Sequence, residues 1–116
     1  MTEDFVYQAS KNADRRLILL HGWGADFDDL IPLGEQLIVN QPFSIELISL
    51  KAPQSHPEGI GRQWYGLFPP NWAEVPKAIS QLSSRISALP STQIPLSRTV
   101  LLGFSQGGAM AIASGC

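Results

Sequence analysis

One cysteine, Cys116, is all the thiol chemistry in these 116 residues, so no disulfide can close within the chain. A lone cysteine fits a reducing compartment, and a cytoplasmic protein is expected. Histidine is almost as scarce: His21 and His56 stand far apart, with no cysteine or paired carboxylate motif beside them. No metal site and no cofactor is therefore expected. Basic residues number 8 against 10 acidic ones and are scattered, which gives no reason to expect nucleic acid as a partner. No apolar run approaches the roughly 18 residues of a membrane span. The acidic start, Met1-Thr2-Glu3-Asp4, does not read as a secretory signal. Charged residues make up only 16 % of the chain and hydrophobic ones 44 %, which allows a moderate core in one domain, residues 1–116.

What is present alternates between two patterns. Leu17-Ile18-Leu19-Leu20, Ile45 to Leu50 and Thr99 to Gly103 are short apolar runs suited to strands buried on both faces. Phe5 to Gln8 adds a weak edge-strand signal. Between the runs, Leu30, Leu33, Leu37 and Ile38 recur at helical spacing, with Asp26, Asp28 and Asp29 at the expected helix start. Val75, Ile79, Leu82, Ile86 and Leu89 give a second helix face, entered at Pro76 and stopped at Pro90. Gly107 to Ser114 opens a third helix with small residues. Strand and helix in alternation predict an α/β fold, a parallel sheet with helices on both faces. The long stretch between Pro53 and Trp72 holds His56, Trp64 and Tyr65, and loops of that length are usually functional or mobile.

The chemistry is concentrated at Gly103-Phe104-Ser105-Gln106-Gly107, which joins an apolar strand to a helix. This is the layout of a nucleophile elbow, with Ser105 at the tip of a strained turn and Gly103 and Gly107 where side chains would collide. An acyl-transfer site also needs two N–H donors aimed at the developing oxyanion. The main-chain amides of Gln106 and of Trp23, in the turn His21-Gly22-Trp23-Gly24, are the candidates. A dinucleotide turn is the competing reading of Gly22-x-Gly24, but Phe27 stands where the third glycine belongs and Lys51 where an acidic residue would close the second strand. His21 reads as a structural, hydrogen-bonded histidine and His56 as a solvated loop histidine.

His21-Gly22-Trp23-Gly24, Ala52-Pro53, Gly61-Arg62-Gln63-Trp64-Tyr65, Ile94-Pro95 and Gly103-Phe104-Ser105-Gln106-Gly107-Gly108 follow one another in this order. Together they resemble the carboxylesterase/phospholipase group of α/β-hydrolases, which includes the acyl-protein thioesterases. The resemblance covers residues 15–116. It implies a serine hydrolase acting on carboxylic esters or thioesters through an acyl-enzyme at Ser105. It also implies that the turns bearing Trp23 and Ser105 meet at a switch in strand order. Trp64 and Tyr65 read either as loop aromatics packed on the sheet edge or, as the resemblance favours, as an apolar wall for an acyl chain. Two positions depart from the pattern: Trp23 replaces a smaller or aliphatic residue, which narrows the pocket, and Gly66 replaces an Asp that would anchor the loop.

None of the eleven residues after Ser105 is Asp, Glu or His. In such hydrolases the acid and the base follow the serine in the chain, so residues 1–116 are expected to be an N-terminal portion ending after the elbow and inactive alone. The strand 99–103 would then have a bare edge through which the chain self-associates. Two other functions compete: an inactive acyl- or ester-binding protein on the same scaffold, and a nucleotide-binding α/β module.

Overall fold

In the computed structural model, residues 5–8, 13–42, 44–67, 69–89 and 94–115 are described. A four-stranded sheet runs in the order β1-β3-β2-β6, from β1 (Phe5–Gln8), β2 (Arg15–Leu20), β3 (Ile45–Leu50) and β6 (Thr99–Gly103). β3, β2 and β6 are parallel, whereas β1 lies antiparallel on the outer side of β3. A small antiparallel ladder, β4 (Gln54–Ser55) with β5 (Arg62–Gln63), stands apart from it.

Two of the apolar runs become the central strands β2 and β3, whose alternate side chains reach both faces. The third, β6, was expected to be buried on both faces but is an edge strand among the described residues, with Val100 61 % exposed. Ile18, Leu20, Ile48 and Leu50 point into one cluster, with Trp64, Tyr65 and Ala52. Leu17, Leu19 and Leu47 point into the other. The larger cluster is covered by α2 (Val75–Ser87), which contributes Ala78, Leu82 and Ile86, and by α3 (Gln106–Gly115), which contributes Met110. Val75, Ile79 and Leu89 pack at its margin, so the face read from the spacing is the one buried. Truncating Leu82 to Ala would cost about 2–5 kcal/mol, the usual range for a buried leucine.

α1 (Ile31–Val39) covers the opposite face, and it does so differently from the expectation. Gly34 is its buried residue; a Cβ there would lie 2.8 Å from Leu47 Cδ1 and 2.9 Å from Leu19 Cδ1. The helix therefore approaches the sheet most closely at a residue without a side chain, and Leu30 and Ile38 pack on either side of it. Leu33 and Leu37 face outward, 48 % and 44 % exposed. The carboxylates of Asp26 and Asp29 do not begin α1 either. They close a turn before it, Asp29 Oδ2 accepting from the Asp26 amide at 2.7 Å and Asp26 Oδ1 from Phe27 at 2.7 Å. Helix α1 carries no acidic residue in its first turn.

Arg16 and Glu46 sit opposite each other in the β2–β3 register and form an ion pair at 3.0 Å, with side chains 2 % and 3 % exposed. Further along the same strands Leu20 lies level with Leu50 on one side and with Gly103 on the other. The chain passes from β2 to β3 on one side and then crosses to β6 on the other. Such a reversal of strand order opens a crevice beyond the strand ends, where α/β folds place ligands. Cys116, Phe68 and Pro90 lie outside the described residues.

Candidate active site

Three segments converge at the carboxyl ends of β2 and β6. The first is the elbow. Gly103 ends β6, Ser105 takes φ 55°, and Gln106 begins α3. A positive φ at a non-glycine residue is uncommon and strained, and such residues persist where the surroundings over-determine them. Ser105 is the one non-glycine residue in that region among the described residues, and it is exposed. Backbone contacts enforce the bend: Phe104 N–H donates to Leu20 O at 3.1 Å, Gly107 N–H to Phe104 O at 3.0 Å and Ala109 N–H to Ser105 O at 3.1 Å. A Cβ on Gly103 would collide with the Gly107 carbonyl, and one on Gly107 with the carbonyls of Leu20 and His21. The two glycines let the helix start directly against the ends of two strands.

The second segment is the turn after β2. Gly22 faces the elbow, its missing Cβ 3.2 Å from Phe104 O and 3.5 Å from Ser105 Cβ. The two turns are thus adjacent, as the strand order requires. Gly24, at φ +81°, supplies the left-handed residue that lets the turn fold back. Ala25 N–H closes it on Gly22 O at 3.2 Å. Gln106, at the first position of α3, belongs to a helix end whose N–H groups lack ladder partners.

The third segment, residues 61–66, locks the other two together. Gly24 N–H donates to Arg62 O at 2.8 Å and Arg62 N–H to Ala25 O at 2.7 Å, so the turn after β2 is paired like a short ladder. The Arg62 guanidinium group binds the carbonyls of Ala52 at 2.6 Å and Pro53 at 3.0 Å. The Gln106 carboxamide accepts from Trp64 N–H at 2.9 Å and donates to Tyr65 O at 2.9 Å. Trp64 Nε1–H reaches back to His21 O at 2.8 Å.

These bonds revise the roles expected of the aromatic residues. Trp64 and Tyr65 are 1 % and 7 % exposed and belong to the core cluster, so they frame the site from beneath rather than wall an open pocket. A buried indole must find an acceptor for its N–H, and the carbonyl at the end of β2 is the one it finds. Trp72 is 68 % exposed and stands apart from them. Gly66 does not leave the loop unanchored: its N–H donates to Glu74 Oε1 at 2.9 Å. Sequence reasoning missed Gln63, which accepts from Trp23 Nε1–H at 2.9 Å, and the side chain of Gln106. Nothing local marks either glutamine, because their partners lie about 40 residues away, within the usual reach of tertiary rather than local contacts.

His21 is fully buried and structural, as expected. Nδ1 bonds Gly22 O at 2.9 Å and Nε2 accepts from Ala52 N–H at 3.0 Å, so the proton is on Nδ1. Burial pushes its pKa below the ordinary 6.5, and the Arg62 charge adds to this. The Gly22 carbonyl and the charges of Asp26 and Asp29 pull it partly back. His56 is not a solvated histidine: it is 7 % exposed, accepts from Glu58 N–H at 3.1 Å through Nδ1, and meets the Trp23 ring edge-on at 4.0 Å. No hydrogen bond joins either imidazole to Ser105, and His56 Nε2 is buried without a partner. Among the described residues no cluster of His, Cys, Asp or Glu could hold a metal ion, and no helix is long and apolar enough to cross a membrane.

Comparison with known proteins places this geometry. The sequence model of the phospholipase/carboxylesterase family matches residues 1–116. Esterase PE8 superposes with a TM-score of 0.85 at 28 % identity, over 98 % of this chain and 57 % of its own. Acyl-protein thioesterase 2 from Zea mays gives a TM-score of 0.62 at 20 % identity, over 98 % and 51 %. The Bacillus cereus carboxylesterase gives 0.63 at 21 %, over 96 % and 51 %. The chain spans about half the length of these proteins, whose α/β fold it shares.

Proposed function

The chain belongs to the phospholipase/carboxylesterase family, and from that premise we propose that Ser105 is the nucleophile of a carboxylic ester or thioester hydrolase. The observation that carries this is the exposed serine at φ 55°, set directly against the Gly22 turn. Ser105 Oγ attacks the carbonyl carbon as its proton passes to a base. The main-chain amides of Trp23 and Gln106 donate to the oxygen that becomes negative. The base returns the proton to the leaving group, which departs as the alcohol or thiol. Water, deprotonated by the same base, then attacks the acyl-enzyme and releases the acid, the proton returning to Ser105 Oγ. Gly22, Gly24, Gly103 and Gly107 shape the two turns, and no cofactor takes part.

A serine hydroxyl needs a base near neutrality, and neither histidine within residues 1–116 is hydrogen-bonded to Ser105: both nitrogens of His21 are engaged, and His56 is held through Nδ1 with Nε2 buried and unpaired. The acid and the imidazole are therefore supplied from outside these residues. Alone, the chain retains only the small acceleration that binding and oxyanion donors provide. The single cysteine supports a cytoplasmic setting. Among the described residues no strand pairs with the outer side of β6, and this edge supports self-association.

The test is phosphonylation by a fluorophosphonate, followed by intact mass, with imidazole added as a surrogate base. The expected result is slow labelling that rises with imidazole and disappears in Ser105→Ala. A folded chain that takes no label at Ser105 at any imidazole concentration would leave only an ester-binding role.

A further inference from the structure

Glu74 occupies the N-cap position of α2, where the shorter Ser, Thr, Asp or Asn would ordinarily cap the first turn. It makes no such bond. Its oxygens are engaged in the opposite direction: Oε1 accepts from Gly66 N–H at 2.9 Å and Oε2 from Gln54 Nε2 at 3.1 Å. Gln54 Oε1 in turn accepts from Gln63 Nε2 at 2.8 Å, and Gln63 Oε1 accepts from the Trp23 indole at 2.9 Å. The sense of this relay is not adjustable. An indole N–H can only donate and a carboxylate can only accept, so both carboxamides are held one way round. Bonds aligned in one direction and ending on a charge polarise one another. The start of α2 is left without a side-chain cap, and the carboxylate ends the relay instead.

We infer that Glu74 is a positioning residue for the reaction at Ser105, acting through Gln54 and Gln63 to fix Trp23 and with it the adjoining oxyanion amide. The inference rests on the reading of Ser105 as nucleophile. Glu74 itself touches no reacting atom. The rival account is that Glu74 only anchors the loop through Gly66. Gln54→Leu separates the two, since it interrupts the relay and leaves the Gly66 bond in place.

The experiment compares imidazole-supported phosphonylation in the wild type, Gln54→Leu and Glu74→Gln, alongside the 1H–15N resonances of the Trp23 indole and the Gly66 amide. Both variants are expected to slow labelling about threefold to tenfold, the effect of losing one or two hydrogen bonds from a positioned donor. Both should move the Trp23 indole signal upfield, and Gln54→Leu should leave the Gly66 signal in place. Wild-type labelling in Gln54→Leu overturns the inference, whether or not the indole signal moves. A further readout needs no variant: the Gln63 carboxamide protons of the wild type should exchange slowly with solvent, and exchange at the rate of a free side chain also overturns it. Absence of any adduct in the wild type sinks the nucleophile reading instead, while the indole and exchange data still report on the relay.

Discussion

The elbow at Ser105 and the turn at Trp23 lie side by side, yet they are built by opposite means. The elbow is held by backbone packing: two glycines bring carbonyls and a helix start so close that no side chain fits between them. The Trp23 turn is held by side chains and strands from elsewhere: Arg62, Gln63, Gln106, Trp64 and, further out, Glu74. The first construction is rigid and local. The second can be adjusted one hydrogen bond at a time. On the proposed reading such a site would hold its nucleophile, Ser105, and the Gln106 amide fixed, and leave the Trp23 amide tunable.

Gly107→Ala attacks the rigid half and has the largest expected effect. The added methyl meets two carbonyls that belong to the ends of β2, so strand or helix must move. A loss of about 3 kcal/mol or more is expected, at the upper end for overpacking, seen as a lower urea midpoint. Next is Gln106→Leu, which removes the clamp and leaves the Trp64 N–H and the Tyr65 carbonyl unpaired in a buried setting. About 2–4 kcal/mol is expected, together with faster amide exchange at Trp64.

How far each half was legible in the sequence follows from the same contrast. The elbow could be read because every residue it needs lies within Gly103 to Gly107. The three parallel strands and the face of α2 could be read because burial follows periods of two and of three to four. α1 was misjudged because its contact with the sheet is a glycine, and Gly34 adds nothing to an apolar pattern. The carboxylates at Asp26 and Asp29 suit a helix start and an Asp turn equally well. For Trp64 and Tyr65 a packed loop and a pocket wall both stayed open, because an aromatic residue in a loop does not reveal which carbonyl it will find. His56 was misplaced for the same reason, since its burial depends on Trp23 folding over it.

His21 joins the two halves to the loop after β3, and pH probes it. Its folded-state pKa lies below the ordinary 6.5, so above that value neither folded nor unfolded chain is charged there and nothing is lost. As pH falls through 6.5 the unfolded chain takes up the proton first, so stability declines until the folded-state value is passed. Urea midpoints from neutral to mildly acidic pH should therefore fall in the wild type. In His21→Asn the decline should be shallower, narrowing the gap between the two proteins.

The smallest effect is expected from Trp23→Phe, which keeps the ring and loses the N–H to Gln63. About 1 kcal/mol of stability at most should be lost. If this change proved as damaging as Gly107→Ala, the two turns would not differ in construction as argued.

The pair Arg16–Glu46 reaches beyond its own position. Were β2 to slip by one residue so that Arg16 met Ile45 and Glu46 met Leu17, each charge would be buried opposite an apolar neighbour, at a cost of several kcal/mol. The pair thus acts as a vernier for the whole assembly. It keeps the strand tips flush, so that the His21 ring reaches the Ala52 amide and the serine's bend is delivered to the right height.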